Sequence, residues 1–326
     1  MRFCVVGAGA IGGLVAARLS AAGHDVHVVA RGETLAAIRD GGLTVTFADG
    51  SPTVTTAVDV AESFDAELGF DAIILAVKAH QIAALADQVA RLCSTDTVVV
   101  PVQNGIPWWF FHRFNGPHAG YNLRTLDPDG AIARAIPAER VIGGIAYPAA
   151  ERTAANAIHH IEGDRFPIGE LDGSTTDRAT AIAQSLSSAG FKSRVMSDIR
   201  SHLWIKAWGN LAFNPISALT GSTLGQICAD PKTRQLAAVM MHEAAAIAAA
   251  LDVRVPLSVE QRINGAQQVG EHRTSMLQDR DAGRSMEVGP LIGVFVELGQ
   301  LTGVSTPAID AVHALIWQLN ERLDTQ

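Results

Sequence analysis

A glycine-rich turn close to the first residue constrains the fold more than any other feature of this chain. A short apolar run, residues 3–6, leads into the turn, and a helical pattern over residues 11–22 leaves it. Strand, glycine turn and helix in this order are typical of a dinucleotide-binding βαβ unit, in which the turn and the helix N-terminus bind a pyrophosphate. We predict a dinucleotide site at this turn, which consists of Gly7, Ala8, Gly9, Ala10, Ile11 and Gly12.

Strand and helix patterns alternate through the first part of the chain, which predicts a parallel sheet flanked by helices. The predicted strands are residues 3–6, 26–30, 71–77 and 97–102, and the predicted helices are residues 11–22 and 80–92. Residues 71–77 are apolar almost throughout, as expected of a central strand buried on both faces. Further strands near residues 141–147 and 166–168 are expected to extend the sheet.

Long helical patterns replace the strands from about residue 198 onward. The predicted helices are residues 199–219, 233–251, 258–269, 286–302 and 308–319. A length of 326 residues suits two domains. We therefore predict an α/β dinucleotide-binding domain over residues 1–195 and an all-helical domain over residues 196–326.

Composition and charge argue against several classes of function. A net charge of -8 argues against nucleic-acid binding, which needs many cationic phosphate contacts. Apolar stretches end well before the about 20 residues of a membrane span, and no cleavable leader precedes the first strand, so we expect a cytoplasmic protein. The 3 cysteines are far apart, and neither His159-His160 nor His242-Glu243 has the spacing of metal ligands. No metal is therefore expected.

Three residues after predicted strands are candidates for ligand binding. Arg31 lies about 20 residues past the glycine turn, where an arginine accommodates the 2′-phosphate of NADP and an acid binds the ribose of NAD. We therefore expect NADP(H). Lys78 and Asn104 follow two other strands, at the sheet edge where such folds bind ligands. Lys78 is expected beside cofactor or substrate and Asn104 beside the nicotinamide, the alternatives being a surface lysine and a turn-forming Asn-Gly.

A polar face is predicted on the first long helix of the second domain. Lys206, Asn210 and Asn214 recur at i, i+4 spacing among tryptophan, leucine and phenylalanine. Because these polar groups are costly to bury without partners, we expect them to face a polar cleft, the alternative being a solvated stripe. Pro215 is expected to kink or end the helix.

Taken together, the motifs resemble the ketopantoate reductase (2-dehydropantoate 2-reductase) family over nearly the whole chain. The matching segments include the glycine turn, the residues after three strands, the polar helix face, and Ser275 with Glu287 at the family's separation. Taken alone, Ser275 is expected to cap a helix and Glu287 to lie in a first turn. The resemblance implies a Rossmann domain and a helical domain like the C-terminal domain of 6-phosphogluconate dehydrogenase.

The resemblance also implies NADPH-dependent reduction of ketopantoate to pantoate in pantothenate biosynthesis. It gives Lys206 the task of polarising the keto oxygen and supplying a proton, while Glu287 orients and balances Lys206. Asn210 and Asn214 are expected to bind substrate oxygens, and Ser275 to bind the substrate carboxylate. Lys78 and Asn104 are expected to hold cofactor and substrate in register. The apolar helical segments near residues 291–301 and 308–319 suit either a homodimer interface or the core.

Two departures from the family pattern bear on the substrate. Ile292 stands where many members have a polar residue, and residues 107–137, predicted to be a loop-rich insertion, begin with the aromatic run 108–111. One interpretation is a larger or more apolar pocket, and the other is that the aromatic residues pack between the domains. The first suits a D-2-hydroxyacid dehydrogenase or a reductase of a bulkier 2-keto acid. A non-catalytic dinucleotide sensor is a further alternative.

Overall fold

The chain divides into two units in the structure, a computed structural model that describes residues 1–64 and 66–325. The sheet unit comprises Met1–Gln103, His112–Asn115 and Gly130–Ile199. The helical unit comprises Asn104–Phe111, Gly116–Asp129 and the chain from Arg200 onward. No helix among the described residues combines the length and the apolar character that a membrane span requires.

A five-stranded sheet of parallel neighbours, as predicted, lies at the centre of the sheet unit. Its strands are β1 (Arg2–Val6), β2 (Asp25–Val29), β5 (Asp59–Ala61), β6 (Ala72–Leu75) and β7 (Val98–Pro101), in the order β5-β2-β1-β6-β7. β6 and β7 are buried along their whole length, as expected of strands in a parallel sheet. All five strands point the same way, so the residues that follow them share one edge.

The sheet unit also contains a four-stranded sheet that the sequence patterns did not predict. It is formed by β3 (Leu43–Phe47), β4 (Val54–Thr56), β9 (Ala149–Ala154) and β10 (Ala157–Glu162), in the order β4-β3-β10-β9. Helix α1 (Ala10–Ala21) packs against these strands as well as against β2. Gly13 allows this close approach, because a Cβ there would lie 2.6 Å from Ile158 Cδ1.

The two strands expected near residues 141–147 and 166–168 are present but pair mainly with each other. They are β8 (Ile142–Gly144) and β11 (Ile168–Glu170), which are antiparallel. One bridge between Val99 and Val141 connects this pair to β7, so the parallel ladder is not extended as predicted. The remaining helices of the sheet unit are α2 (Gly32–Gly41), α3 (Ile82–Leu92), α4 (Ala131–Ala135) and α5 (Asp177–Ser188).

Seven helices make up most of the helical unit's described residues. They are α6 (Ile199–Thr220), α7 (Leu224–Ala229), α8 (Pro231–Ala250), α9 (Val259–Val269), α10 (Ser275–Asp281), α11 (Val294–Thr302) and α12 (Pro307–Asp324). The segment Gly289–Gly293, called here the π segment, is π-helical and leads directly into α11. The predicted all-helical character of this part of the chain is confirmed.

Helix α6 continues through Pro215 to Thr220, so of the two predicted outcomes, a kink or an end of the helix, the end is wrong. A proline inside a helix removes one N–H donor and costs about 3 kcal/mol. The flanking residues Leu211, Ala212, Phe213 and Ile216 are all buried. Their burial, at roughly 25 cal/mol for each Å² of apolar surface, is large enough to offset that cost.

The aromatic run is core rather than surface loop. Trp108–Phe111 forms a 3-10 turn whose four side chains are at most 1 % exposed. Phe110 lies 5.8 Å from Trp204 of α6, and Trp204 lies 5.5 Å from Phe295 of α11, measured between ring centroids. The predicted loop-rich insertion therefore contains a buried anchor of the helical unit, because aromatic side chains of this size gain most by leaving water.

Candidate active site

Three glycines shape the turn between β1 and α1, each for a different reason. Gly7 has a φ of +99°, and a Cβ there would lie 2.6 Å from Val77 Cγ1. A Cβ on Gly12 would lie 1.9 Å from the Gly7 carbonyl oxygen, so helix and turn touch only because this residue is glycine. A Cβ on Gly9 would meet nothing within 4 Å. The turn is tight on the protein side and open where Gly9 is exposed.

The open side of the turn suits an anion. Helix α1 starts after Gly9 without any hydrogen bond from a capping side chain and without an acidic residue in its first turn. The first N–H groups of a helix need partners, and the helix dipole favours a negative charge there. Ala8 is buried and Ile11 packs against the core, so the backbone remains to contact a ligand. These features fit the pyrophosphate of a dinucleotide.

Arg31 lies two residues beyond β2 and precedes α2. Its side chain is exposed, and among the described residues its guanidinium makes one long hydrogen bond of 3.4 Å, to Gln88 Oε1. Gln88 is itself anchored by a 2.8 Å bond from Nε2 to the Glu62 carbonyl. The guanidinium is thus accessible at the carboxyl edge of the sheet, the edge that also holds the glycine turn.

Lys78 and Asn104 are divided between the two units. Lys78 follows β6, is partly exposed, and its backbone N–H donates to Gln81 Oε1 at 3.2 Å. Asn104 follows β7 along the chain but belongs to the helical unit, where Gly105 packs against Pro290. The sequence patterns placed both residues after strands and missed this division.

The polar face predicted on α6 is present. Lys206 and Asn210 are partly buried, and Asn214 is 6 % exposed. In the part of the chain that the structure describes, neither asparagine side chain makes a hydrogen bond. A buried amide without a protein partner carries a cost of about 1–3 kcal/mol that a bound ligand or water relieves. The face is therefore suited to binding polar atoms from outside the protein.

Glu287 lies two residues before the π segment and just outside the helix, not in its first turn as expected, and its carbonyl accepts the Leu291 N–H at 3.2 Å. It is buried, and its carboxylate acts on Lys206. Burial lowers the pKa of Lys206 from 10.5 to about 8, while the negative charge of Glu287 opposes that shift. The ammonium group is therefore ready to give up a proton near neutral pH, as a general acid requires.

Ser275 is the first residue of α10 and is exposed. It does not cap the helix as expected, since Thr274 Oγ1 accepts the Leu277 N–H at 3.3 Å. Thr274, one residue earlier, is the N-cap of α10 instead, because its backbone is extended, as an N-cap residue requires. As a result the Ser275 hydroxyl makes no hydrogen bond to any residue that the structure describes.

Sequence reasoning missed the contacts of Glu297. Its carboxylate accepts the N–H groups of Arg124 and Thr125, both at 2.8 Å, and the Tyr121 hydroxyl at 3.1 Å. These contacts fasten the segment Gly116–Asp129 to α11. No local pattern reveals them, because the partners lie in distant parts of the chain.

An open cavity of about 680 Å³ adjoins this part of the helical unit, lined among others by Arg124, Gly293 and Trp317. None of the site residues predicted from the sequence lines it. Among the described residues, no group of three or more histidine, cysteine, aspartate or glutamate residues is arranged to hold a metal ion.

A glycine cradle for a dinucleotide and a partly buried lysine beside a glutamate define an oxidoreductase that acts on a keto or CH–OH group. Family models agree with this class. The model described as ketopantoate reductase PanE/ApbA matches residues 3–173, and the model of its C-terminal domain matches residues 198–320. The chain belongs to the ketopantoate reductase family.

Individual relatives extend over the whole chain. A 2-dehydropantoate 2-reductase of Mesorhizobium japonicum is 49% identical over 321 residues, covering 98% of each chain. A crystal structure assigned to the ketopantoate reductases, from Ralstonia solanacearum, has a TM-score of 0.92 and 37% identity and covers 99% of this chain and 98% of its own. A D-mandelate dehydrogenase with NADH has a TM-score of 0.84 at 22% identity, covers 99% of both chains, and shows the shared fold alone.

Proposed function

We propose that the protein reduces 2-dehydropantoate to pantoate with NADPH, a step of pantothenate biosynthesis. The single observation that carries the proposal is Lys206, whose pKa burial lowers to about 8 beside the carboxylate of Glu287. The similarity to the Mesorhizobium reductase, 49% identical over 98% of the chain, supports the choice of substrate. The function implied by the sequence resemblance is thereby retained.

Lys206 is the proton donor in this proposal. Reduction of a 2-keto acid adds a hydride to the keto carbon and a proton to the keto oxygen. The ammonium of Lys206 hydrogen-bonds the keto oxygen, stabilises the negative charge that develops on it, and then transfers its proton to the alkoxide. Glu287 keeps enough positive charge on Lys206 for this task, because its carboxylate counteracts the effect of burial.

The neighbouring polar side chains bind the substrate. Asn210 and Asn214 share the helix face of Lys206, and their amides supply hydrogen bonds to substrate oxygens. Ser275 offers a hydroxyl that the cap of α10 does not use, suited to the substrate carboxylate. Holding the keto group at a fixed position relative to Lys206 accounts for much of the rate, since orientation contributes about 7–11 kcal/mol in favourable cases.

The glycine turn and Arg31 would hold NADP(H). NADPH, when bound, supplies the hydride. The N–H groups at the start of α1 bind its pyrophosphate, and the exposed guanidinium of Arg31 binds the 2′-phosphate that distinguishes it from NADH. We further propose that Lys78 and Asn104 keep cofactor and substrate in register.

A bulkier substrate has less support. Trp108–Phe111 are at most 1 % exposed, and Ile292 is 0 % exposed. Neither departure from the family pattern therefore enlarges or lines an open pocket. The alternative of a D-2-hydroxyacid dehydrogenase then rests only on a fold shared with D-mandelate dehydrogenase at 22% identity. The sensor alternative is disfavoured by the lowered pKa of Lys206, which binding alone does not require.

We also propose a homodimer that works in the cytoplasm. Leu315 and Trp317 on α12 are 59% and 50% exposed, large apolar side chains of the kind that a second copy would cover. Cys4, Cys93 and Cys228 are unpaired, which suits a reducing compartment. Sedimentation of the protein and of a Leu315→Lys variant tests the dimer, and equal masses for both proteins would contradict this interface.

Turnover of ketopantoate is the direct test. Purified protein is mixed with NADPH and ketopantoate, and the loss of reduced-cofactor absorbance is followed. We expect turnover, and a fall of about 10²–10⁴-fold in kcat for Lys206→Ala, the usual contribution of a general acid. Lys232→Ala, which removes an exposed lysine of the same unit, is the control and should behave like the wild type. Equal activity of both variants would contradict the role of Lys206.

A further inference from the structure

The π segment releases one backbone carbonyl from the helix in which it lies. Val294 donates its N–H to the Gly289 carbonyl, five residues back. In an α-helix the same N–H would bond to the carbonyl of Pro290, four residues back. The π-helical register therefore leaves the Pro290 carbonyl available to a partner outside the helix.

The turn that follows β7 forms a hydrogen bond to the Pro290 carbonyl. Ile106 donates its N–H to the Pro290 oxygen at 3.2 Å. Gly105, with a φ of +81°, lies so close that a Cβ would be 2.0 Å from the same oxygen and 2.6 Å from its carbon. Both the backbone conformation and the space thus require glycine at position 105. Asn104 directly precedes this contact, so its position depends on it.

Glu287 lies two residues before the π segment and is bonded to it. The Glu287 carbonyl accepts the Leu291 N–H at 3.2 Å, a bond that ties Glu287 to the middle of the segment. Pro290, Leu291 and Glu287 are all buried, so the segment has little freedom to shift. Three residues of largely buried backbone therefore separate Glu287 from the carbonyl that binds the Asn104 turn.

We propose that the π segment is a clasp in which Pro290 and Gly105 position Asn104 relative to Glu287 and Lys206. The inference rests on the proposed function, in which Asn104 keeps cofactor and substrate in register. Pro290 and Gly105 are positioning residues, because they act through Asn104. A single π turn inside an α-helix is rare and is frequently found at functional sites, and here it provides the acceptor that an α-helical register would consume.

Gly105→Ala opens the clasp, and Gly190→Ala is its matched control. Gly190 has nearly the same φ, +83°, but a Cβ there would meet nothing within 4 Å. Both variants carry the strain of a left-handed alanine, and only Gly105→Ala displaces the Pro290 carbonyl. We expect Gly105→Ala to lose about tenfold to a hundredfold in kcat for ketopantoate, since misplacement by about 1 Å has effects of that size. Gly190→Ala should retain the wild-type kcat.

Three further readouts separate positioning from general damage. The pH at which kcat/KM declines should be the same in Gly105→Ala and wild type, because the variant keeps both Lys206 and Glu287 and the proposal assigns the loss of activity to Asn104 alone. NADPH affinity, measured by fluorescence titration, should change little, since the glycine turn is intact. In the double variant Asn104→Ala/Gly105→Ala, activity should be no lower than in Asn104→Ala alone. Additive losses, or equal losses in Gly105→Ala and Gly190→Ala, would overturn the proposal.

Hydrogen exchange tests the clasp without any substrate. The Ile106 amide should exchange slowly in the wild type and in Gly190→Ala, and at least about tenfold faster in Gly105→Ala, because its acceptor is displaced. Fast exchange in the wild type overturns the clasp even if ketopantoate is reduced. Slow exchange with no turnover of ketopantoate contradicts the proposed function instead, so the two failures differ. If Gly105→Ala does not fold, replacing the Ile106 amide by an ester removes the same hydrogen bond and leaves both side chains unchanged.

Discussion

The pH dependence of ketopantoate reduction gives the sharpest test of the proposed proton donor. Burial lowers the pKa of Lys206 to about 8, and only the protonated lysine can donate. The donor is then about nine-tenths protonated at pH 7 and about one-tenth at pH 9, because occupancy changes tenfold for each pH unit beyond the pKa. Since kcat/KM reports groups of the free enzyme, we expect it to be level below pH 7 and to fall about tenfold per unit above pH 8.

Glu287→Gln should move that decline to lower pH. The carboxylate of Glu287 raises the pKa of Lys206 against the effect of burial, so its loss lowers the pKa below about 8. At pH 8 the variant should therefore lose more activity than at pH 6. Glu321→Gln removes the same charge from an exposed position of α12 and should leave the profile unchanged.

Pantoate oxidation, the reverse reaction, should show the opposite pH dependence. In that direction Lys206 must accept a proton, so the rate with NADP should rise as the pH passes through about 8. The assay is steady-state absorbance of the reduced cofactor between pH 5.5 and about 10, within the stable range of the protein. If the Glu287→Gln profile coincides with the wild type, or if reduction does not decline above pH 8, the assignment of Lys206 as the donor is refuted.

Four further predictions concern the sheet unit. Gly9→Ala should keep the wild-type melting temperature, because the added Cβ meets nothing within 4 Å, yet weaken NADPH binding where the pyrophosphate approaches. Gly12→Ala should instead lower stability sharply, because its Cβ would lie 1.9 Å from a backbone oxygen, and equal melting temperatures for the two variants would contradict this reading. Arg31→Ala should raise the Kd for NADPH about tenfold or more and leave the Kd for NADH nearly unchanged, as a charged hydrogen bond contributes about 1.5–3 kcal/mol; an equal loss for both cofactors would refute the 2′-phosphate contact. Glu170 is 1 % exposed and receives two 2.7 Å hydrogen bonds from Arg178, so Glu170→Ala should lower the free energy of unfolding by about 2–3 kcal/mol in urea titrations. A change below about 0.5 kcal/mol would show that this ion pair adds little.

Local chemistry accounts for the features that the sequence predicted well. The glycine turn was predictable because Gly7 and Gly12 are required by contacts within a few residues and with the neighbouring strand. β6 was predictable because a strand buried on both faces is a continuous apolar run. The i, i+4 spacing of Lys206 and Asn210 sufficed to place them on one helix face.

The four-stranded sheet was missed because its strands carry weak patterns. β9 is largely exposed and contains charged and polar residues, and β4 has only three residues. Their pairing depends on distant partners, since β10 is parallel to β3 through contacts such as Ile158 with Val45. Strand propensity is decided by such neighbours more than by the strand itself, so a window of local sequence does not contain the information.

The pKa of Lys206 and the position of Asn104 also depend on residues that are distant in the sequence. From the sequence of α6 alone, Lys206 could belong to a solvated polar stripe. Its pKa is set by burial and by the carboxylate of Glu287, and the α6 sequence reveals neither. The π-helical hydrogen bonding of Gly289–Gly293 could not be predicted either, because the sequence of this segment is that of an ordinary helical turn. Its consequence is the free Pro290 carbonyl, which accepts the Ile106 N–H from a distant part of the chain. A residue type at the right spacing predicts which group is present, whereas its pKa and its exact position are set by residues remote in the chain. The substitutions that separate these two contributions are therefore those at Glu287 and Gly105, which keep the side chains of Lys206 and Asn104 and change only the pKa of the first and the position of the second.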